Sequence, residues 1–130
     1  MKKEAVMLVI QQDGKFLLGK RAGWKKKAAG YWCPVSGHME VGESEEAAVI
    51  REAAEEIGVL VRPTKKITST LTHDHEVILH WWMTDVLEGS PRLKNDEHEE
   101  LGWFTPKELQ ALTPTFAEDI AILLTQVKPC

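Results

Sequence analysis

Cysteine is scarce in this chain, and long apolar runs are missing. Two cysteines, Cys33 and Cys130, give no disulfide framework and suit a reducing compartment. No segment approaches the roughly 20 apolar residues of a membrane span. The opening run AVMLVI (5–10) is also too short for the apolar region of a secretory signal, so a cytoplasmic location is expected. Basic excess is absent too: 16 Lys and Arg stand against 20 Asp and Glu, a net charge of −4. That balance argues against binding a nucleic-acid polymer through a general basic surface. Phosphate chemistry on such a chain needs metal ions to neutralise its own carboxylates and the substrate. There is no internal repeat, low-complexity tract or linker. At 130 residues, 43% hydrophobic and 28% charged, the chain reads as one ordinary globular domain spanning 1–130.

What is present alternates between strand and helix patterns. Residues 5–11 form a β-branched-rich strand that stops at the hairpin signal Asp13-Gly14, and 16–20 form its partner. Residues 21–30 read as a loop with a basic centre, and 31–40 as short and extended. Ser44 is an N-cap for a helix over about 45–57, closed by Gly58. Residues 59–61 and 67–71 read as extended, separated by Pro63, and 77–86 as a strand. A polar loop is expected over 88–100 and a short strand over 101–104. Capping boxes at Thr105 and at Thr115 predict two further helices, the last with the apolar stripe Phe116, Ile120, Leu123, Leu124 and Val127. Together these describe a mixed α/β domain.

The helix over 45–57 ends in an unfavourable way. Glu52, Glu55 and Glu56 lie three and four residues apart, so they share a face in the last turns, where the backbone dipole favours cations. Each like-charged pair costs roughly 0.2–0.5 kcal/mol. Ala47, Ile50, Ala54 and Ile57 cluster on the opposite side and are expected to anchor the helix. A divalent cation would turn the clustered charge to advantage. The preceding loop, GHMEVGE (37–43), brings Gly37, Gly42, Glu40 and Glu43 to the helix entrance, a composition suited to a hard cation with oxygen ligands.

Residues 37–59, GHMEVGESEEAAVIREAAEEIGV, resemble the signature of the Nudix hydrolases, G-x5-E-x7-R-E-U-x-E-E-x-G-U with U a bulky aliphatic residue. Gly37, Glu43, Arg51, Glu52, Glu55, Glu56, Gly58 and Val59 fall in register; Ala53 departs at the first aliphatic position. The resemblance implies an α/β/α sandwich with a mixed β-sheet. It also implies hydrolysis of a nucleoside diphosphate linked to another group, with Mg²⁺ or, as a substitute, Mn²⁺. On this chain it makes Glu55 and Glu56 the principal metal carboxylates and the Gly37 carbonyl a further ligand. Glu52 becomes a ligand or the water-activating base, and Arg51 the residue that orients the glutamates. Glu43 becomes an auxiliary ligand or a partner of Arg51. A late-loop acid supplies one more ligand or base in some relatives; of Glu97, Glu99 and Glu100, the last matches the family spacing best. Ser36 stands where many relatives carry glycine.

The substrate pocket is less constrained. Lys25, in Trp24-Lys25-Lys26-Lys27, is a candidate phosphate contact, and Trp82 a candidate lining residue for a base pocket. Phe116, Glu118 and Asp119 sit where some triphosphate-cleaving relatives contact the base; a stacking surface with edge hydrogen bonds is what a nucleobase requires. Gly14 to Arg21 nearly matches a phosphate-binding loop, but its middle is a hydrophobic strand and it lacks the Ser or Thr for Mg²⁺. His73-Asp74-His75-Glu76 reads better as a hairpin connection than as a metal site. The expected substrate is a nucleoside triphosphate cleaved to monophosphate and pyrophosphate, with an ADP-sugar, a dinucleoside polyphosphate or a non-catalytic nucleotide-binding role as alternatives. A monomer or a homodimer is expected.

Overall fold

A computed structural model describes residues 2–127, so Cys130 lies outside the described residues. Strand β1 (Lys3–Val9) runs parallel to β7 (Val77–Glu88) and antiparallel to β5 (Val35–His38). With β6 (Leu60–Leu71) beyond β7, this makes a mixed sheet of order β5-β1-β7-β6. A second, antiparallel sheet is centred on β3 (Lys15–Arg21), which pairs with β2 (Gln11–Gln12), β4 (Trp32–Cys33) and β8 (His98–Phe104). Among the described residues no helix is long and apolar enough to cross a membrane.

Alternation along the central strands builds two cores. Val6, Leu8 and Ile10 face helix α1 (Glu45–Ile57), together with Leu17 and Val35. Met7 and Val9 face the other way, with Phe16, Leu18 and Trp81, against α2 (Pro106–Ala111) and α3 (Ala117–Thr125). The α/β/α layering follows from these two cores.

Several local expectations hold for the reasons given. Asp13 and Gly14 both take positive φ, at 51° and 75°, as a two-residue hairpin demands. Ser44 Oγ accepts from the Ala47 amide, and Gly58 closes α1 at φ 68°. Thr105 and Glu108 form a reciprocal capping box. The 73–76 segment is a turn in which Asp74 accepts from Thr72 Oγ1 and from the Glu76 amide.

Four expectations need correction. Pro63 does not interrupt its strand: β6 is continuous, with register shifts on either side of the proline, and as an edge strand it tolerates a missing donor. Strand β8 starts at His98, inside the segment read as a polar loop, because its pairing with β3 extends to Arg21. The capping box at Thr115 does not form; Phe116 is the N-cap of α3 without a side-chain bond, and the Thr115 hydroxyl donates to Leu112 O.

The fourth correction bears on the site. Helix α1 is anchored by Ala48, Val49, Ala53 and Ile57, whereas Ala47, Ile50 and Ala54 are exposed. Glu52 and Glu56 lie within the anchored face, 6% and 9% exposed. Small apolar residues on nearly every side of α1 made its pattern ambiguous. Ala53 fits because the helix lies close to the sheet there, fully buried where an aliphatic side chain is usual.

Candidate active site

Two acids of α1, Glu52 and Glu55, are bridged by one cation of the chain itself. The Arg51 guanidinium grips Glu43 with two bonds, Nε to Oε2 at 2.7 Å and Nη2 to Oε1 at 2.8 Å. Its Nη1 donates to Glu52 Oε1 at 2.7 Å and to Glu55 Oε2 at 3.1 Å, while Nη2 also reaches His38 O at 3.0 Å. Glu43 is thus the partner of Arg51; its Oε1 also accepts from the Glu40 amide, tying the 37–43 loop to the helix. Hydrogen bonds from Arg51 and the Glu40 amide hold the Glu43 carboxyl down at about 2.

Glu52 sits directly on the backbone of Gly37. A Cβ there would lie 1.9 Å from the Glu52 carboxyl carbon, so only glycine admits this approach. Burial pushes the Glu52 carboxyl up to about 7; the Arg51 bond opposes the shift, and the charges of Glu56 and Glu55 add to it. Glu55, one face round, is exposed. Burial also raises Glu56, and the Asn95 side chain opposes the shift. Glu56 Oε2 is buried without a hydrogen-bond partner, as is His98 Nδ1, 3.7 Å away.

The poor end of the helix is covered by the chain after β7. The amides of Arg92 and Lys94 donate to the carbonyls of Ile57 and Glu56 at 3.0 and 3.2 Å, supplying donors that the last turn lacks. The same segment carries Asn95, Glu97 and His98 to the acids.

Among the late acids, Glu97 is the one whose charge reaches Glu56, and its carboxylate pairs with Lys25. Glu100 lies elsewhere. Leu101 and Trp103 pack on the α1 side and Phe104 on the other, so alternation assigns exposed Glu100 to the face away from α1, opposite Lys20. The register shift between Lys20 and Arg21, where a bulge changes the parity of β8, is invisible in the sequence.

The remaining sequence candidates divide. Trp82 is committed to packing: its indole N–H donates to Glu45 Oε1 at 2.9 Å beneath the start of α1. Lys25 is joined to Glu97, and Lys27 to Asp74 and Glu76, binding the basic loop to its neighbours. Phe116 is partly exposed and stacks on Tyr31 with ring centroids 4.7 Å apart. Asp119 is buried, and burial together with the charge of Glu118 pushes its carboxyl up to about 7. Glu118 lines an open groove of about 600 Å³ with Ser69–Thr72, His73, His75 and Ile78.

No three His, Cys, Asp or Glu side chains of the described residues form a group ready to hold an ion as they stand. The donors nevertheless suit a hard cation: three carboxylates lie on adjacent turns, and the Glu52 carboxyl fills the space that a Cβ would take at Gly37. Sequence reasoning missed His98 because it lay in a segment taken for a solvated loop; the His between two acids was its only mark.

Comparison with known proteins agrees with this geometry. The NUDIX domain family model matches residues 1–126. The chain is 34% identical over 110 residues to the CTP pyrophosphohydrolase of Escherichia coli K12, covering 81% of this chain and 77% of that protein. It is 28% identical over 113 residues to the nucleoside triphosphatase NudI of Escherichia coli O1:K1, covering 78% and 80%. The crystal structure of a MutT NUDIX hydrolase from Burkholderia pseudomallei superposes with a TM-score of 0.81 at 27% identity, over 98% of this chain and 99% of that one. A chain that carries Glu52, Glu55 and Glu56 of the signature on the expected helix and Glu43 in the loop before it, within a family match over residues 1–126, belongs to the NUDIX domain family and is a Nudix hydrolase.

Proposed function

We propose that the chain is a Mg²⁺-dependent pyrophosphohydrolase that cleaves a nucleoside triphosphate to the monophosphate and pyrophosphate. The observation that carries the reading is the set of Glu52, Glu55 and Glu56 on adjacent turns of α1, with Glu52 seated on Gly37, held at a cost to the fold. Its relatives include proteins named CTP pyrophosphohydrolase and nucleoside triphosphatase, and their names support the triphosphate over the ADP-sugar and dinucleoside alternatives. The retained acids speak against a purely nucleotide-binding module.

Glu55, Glu56 and the Gly37 carbonyl would hold the cation, with Glu52 beside them. Mg²⁺, or Mn²⁺ in its place, would supply positive charge for the phosphates and would activate a water molecule. Arg51 occupies Glu52 Oε1 and fixes the carboxylate, leaving Oε2 to take the proton from the attacking water. Lys25 pairs with Glu97, and an incoming triphosphate would compete with that carboxylate for the ammonium. Phe116 and Tyr31 offer an aromatic surface to the base, and buried Asp119, with Glu118 at the rim, offers edge hydrogen bonds.

The test is product identification by chromatography in Mg²⁺ across normal and oxidised nucleoside triphosphates, ADP-ribose and diadenosine polyphosphates. A triphosphate is expected to be the best substrate, with activity lost in Glu55→Gln. Preference for ADP-ribose or a dinucleoside would replace the substrate, and binding without turnover would overturn the enzyme reading.

A further inference from the structure

Among the described residues, the two buried side-chain atoms without a hydrogen-bond partner, Glu56 Oε2 and His98 Nδ1, face each other. An orphaned buried donor or acceptor is costly and rare, and two in opposition mark an unclosed bond. Closing their 3.7 Å separation by roughly 0.7 Å reaches ordinary hydrogen-bond length.

The imidazole has a built seat. It lies on the backbone of Gly19 in β3, where a Cβ would stand 2.6 Å from His98 Cδ2 and 3.0 Å from Nε2. The edge of the ring that carries Nε2 is thereby turned to the strand, and Nδ1 is left for Glu56. The bulge between Lys20 and Arg21 sets the side on which His98 projects, and the Lys94 amide ties the preceding loop to the Glu56 carbonyl.

We propose that His98 is a positioning residue: its Nδ1–H donates to Glu56 Oε2 and holds that carboxylate with Oε1 turned to the divalent cation. Oε2 is buried, so Oε1 alone can meet an ion, and a carboxylate free to rotate about its last bond would present it only part of the time. Metal-binding carboxylates gain affinity from such outer partners, whose loss typically weakens metal binding by about 10–100-fold. The inference rests on the metal role proposed above for Glu56.

The test is Mn²⁺ binding to the nucleotide-free chain, read from the free-Mn²⁺ signal in electron paramagnetic resonance. Native protein, His98→Asn, His98→Gln and Gly19→Ala are compared, with melting temperatures taken in metal-free buffer. Asn carries an N–H where Nδ1 stands, and Gln carries one where Nε2 stands. His98→Asn is expected within about twofold of native and His98→Gln weaker by about 10-fold or more. Gly19→Ala, which unseats the ring, is expected to weaken binding in the same direction. If His98→Gln binds as native does, or if His98→Asn falls as far as His98→Gln, the positioning role is overturned. Should the His98 variants fail to fold, native-like Mn²⁺ affinity in Gly19→Ala overturns it instead. A native chain that binds no Mn²⁺ would sink the metal reading itself, a distinct result.

Discussion

The two ends of α1 carry the same residue type in opposite states. At the entrance, Glu45 is half-buried, yet Lys66 donates to it and so does the Trp82 indole; these bonds outweigh the cost of burial and leave its pKa lowered. The dipole favours an acid there as well. At the exit, burial and mutual repulsion leave Glu52 and Glu56 raised, and no basic residue stands in the last turn. The entrance acid stabilises the fold. The exit acids weaken it, and what they offer in return is a set of oxygen donors on one face. Arg51 stands between the two regimes, bonded to Glu43 on the entrance side and to Glu52 and Glu55 on the exit side.

The sharpest way to break the comparison is to remove the residue that joins its halves. Arg51→Ala leaves Glu43 and Glu52 without their cation and is expected to destabilise the fold by about 3 kcal/mol, lowering Tm by about 10 °C. A loss within 1 to 2 °C would mean that the network is ornamental.

Exit and entrance should then respond with opposite signs. Glu45→Ala removes a paired, dipole-favoured acid and is expected to lower stability by about 1 kcal/mol in thermal melts. Glu56→Gln, measured without metal at pH 8, removes an unpaired buried charge and is expected to raise stability by ~1 kcal/mol, while abolishing turnover. If both variants lose stability equally, position on the helix does not distinguish these acids.

A smaller effect separates burial from crowding. Asp119 is a buried carboxyl on a different helix, raised from 3.8 to about 7. Between these values the folded chain holds a proton that the unfolded chain has released, so its contribution to stability is greatest below about pH 4 and is lost as pH rises through about 7. Asp119→Asn is expected to flatten that part of the stability-against-pH curve, as read by urea melts. An Asp119→Asn curve with the native slope from pH 4 to 7 would refute the shift.

Local features were the legible ones. Ser44, Gly58 and the signature acids act within a few residues of each other, so spacing alone placed Glu52, Glu55 and Glu56 on adjacent turns of one helix. Which side of that helix is buried was misread, because Ala47, Ile50 and Ala54 are apolar as well and only the approach of the sheet selects among them. The placement of the late acids was not legible for a related reason: one extra residue in β8 reverses the parity of everything before it.

By itself, then, the sequence determined the α/β class, the acidic helix with its caps and the kind of chemistry those acids serve, since each depends on short-range periodicity and on residue type. Only the tertiary structure decided that Glu52 rests on Gly37, that Glu56 confronts His98, and that Glu97 rather than Glu100 stands beside them. Those outcomes depend on contacts between segments 15 to 80 residues apart, whose register is set by strand pairing and bulges, for which the chain carries no local code.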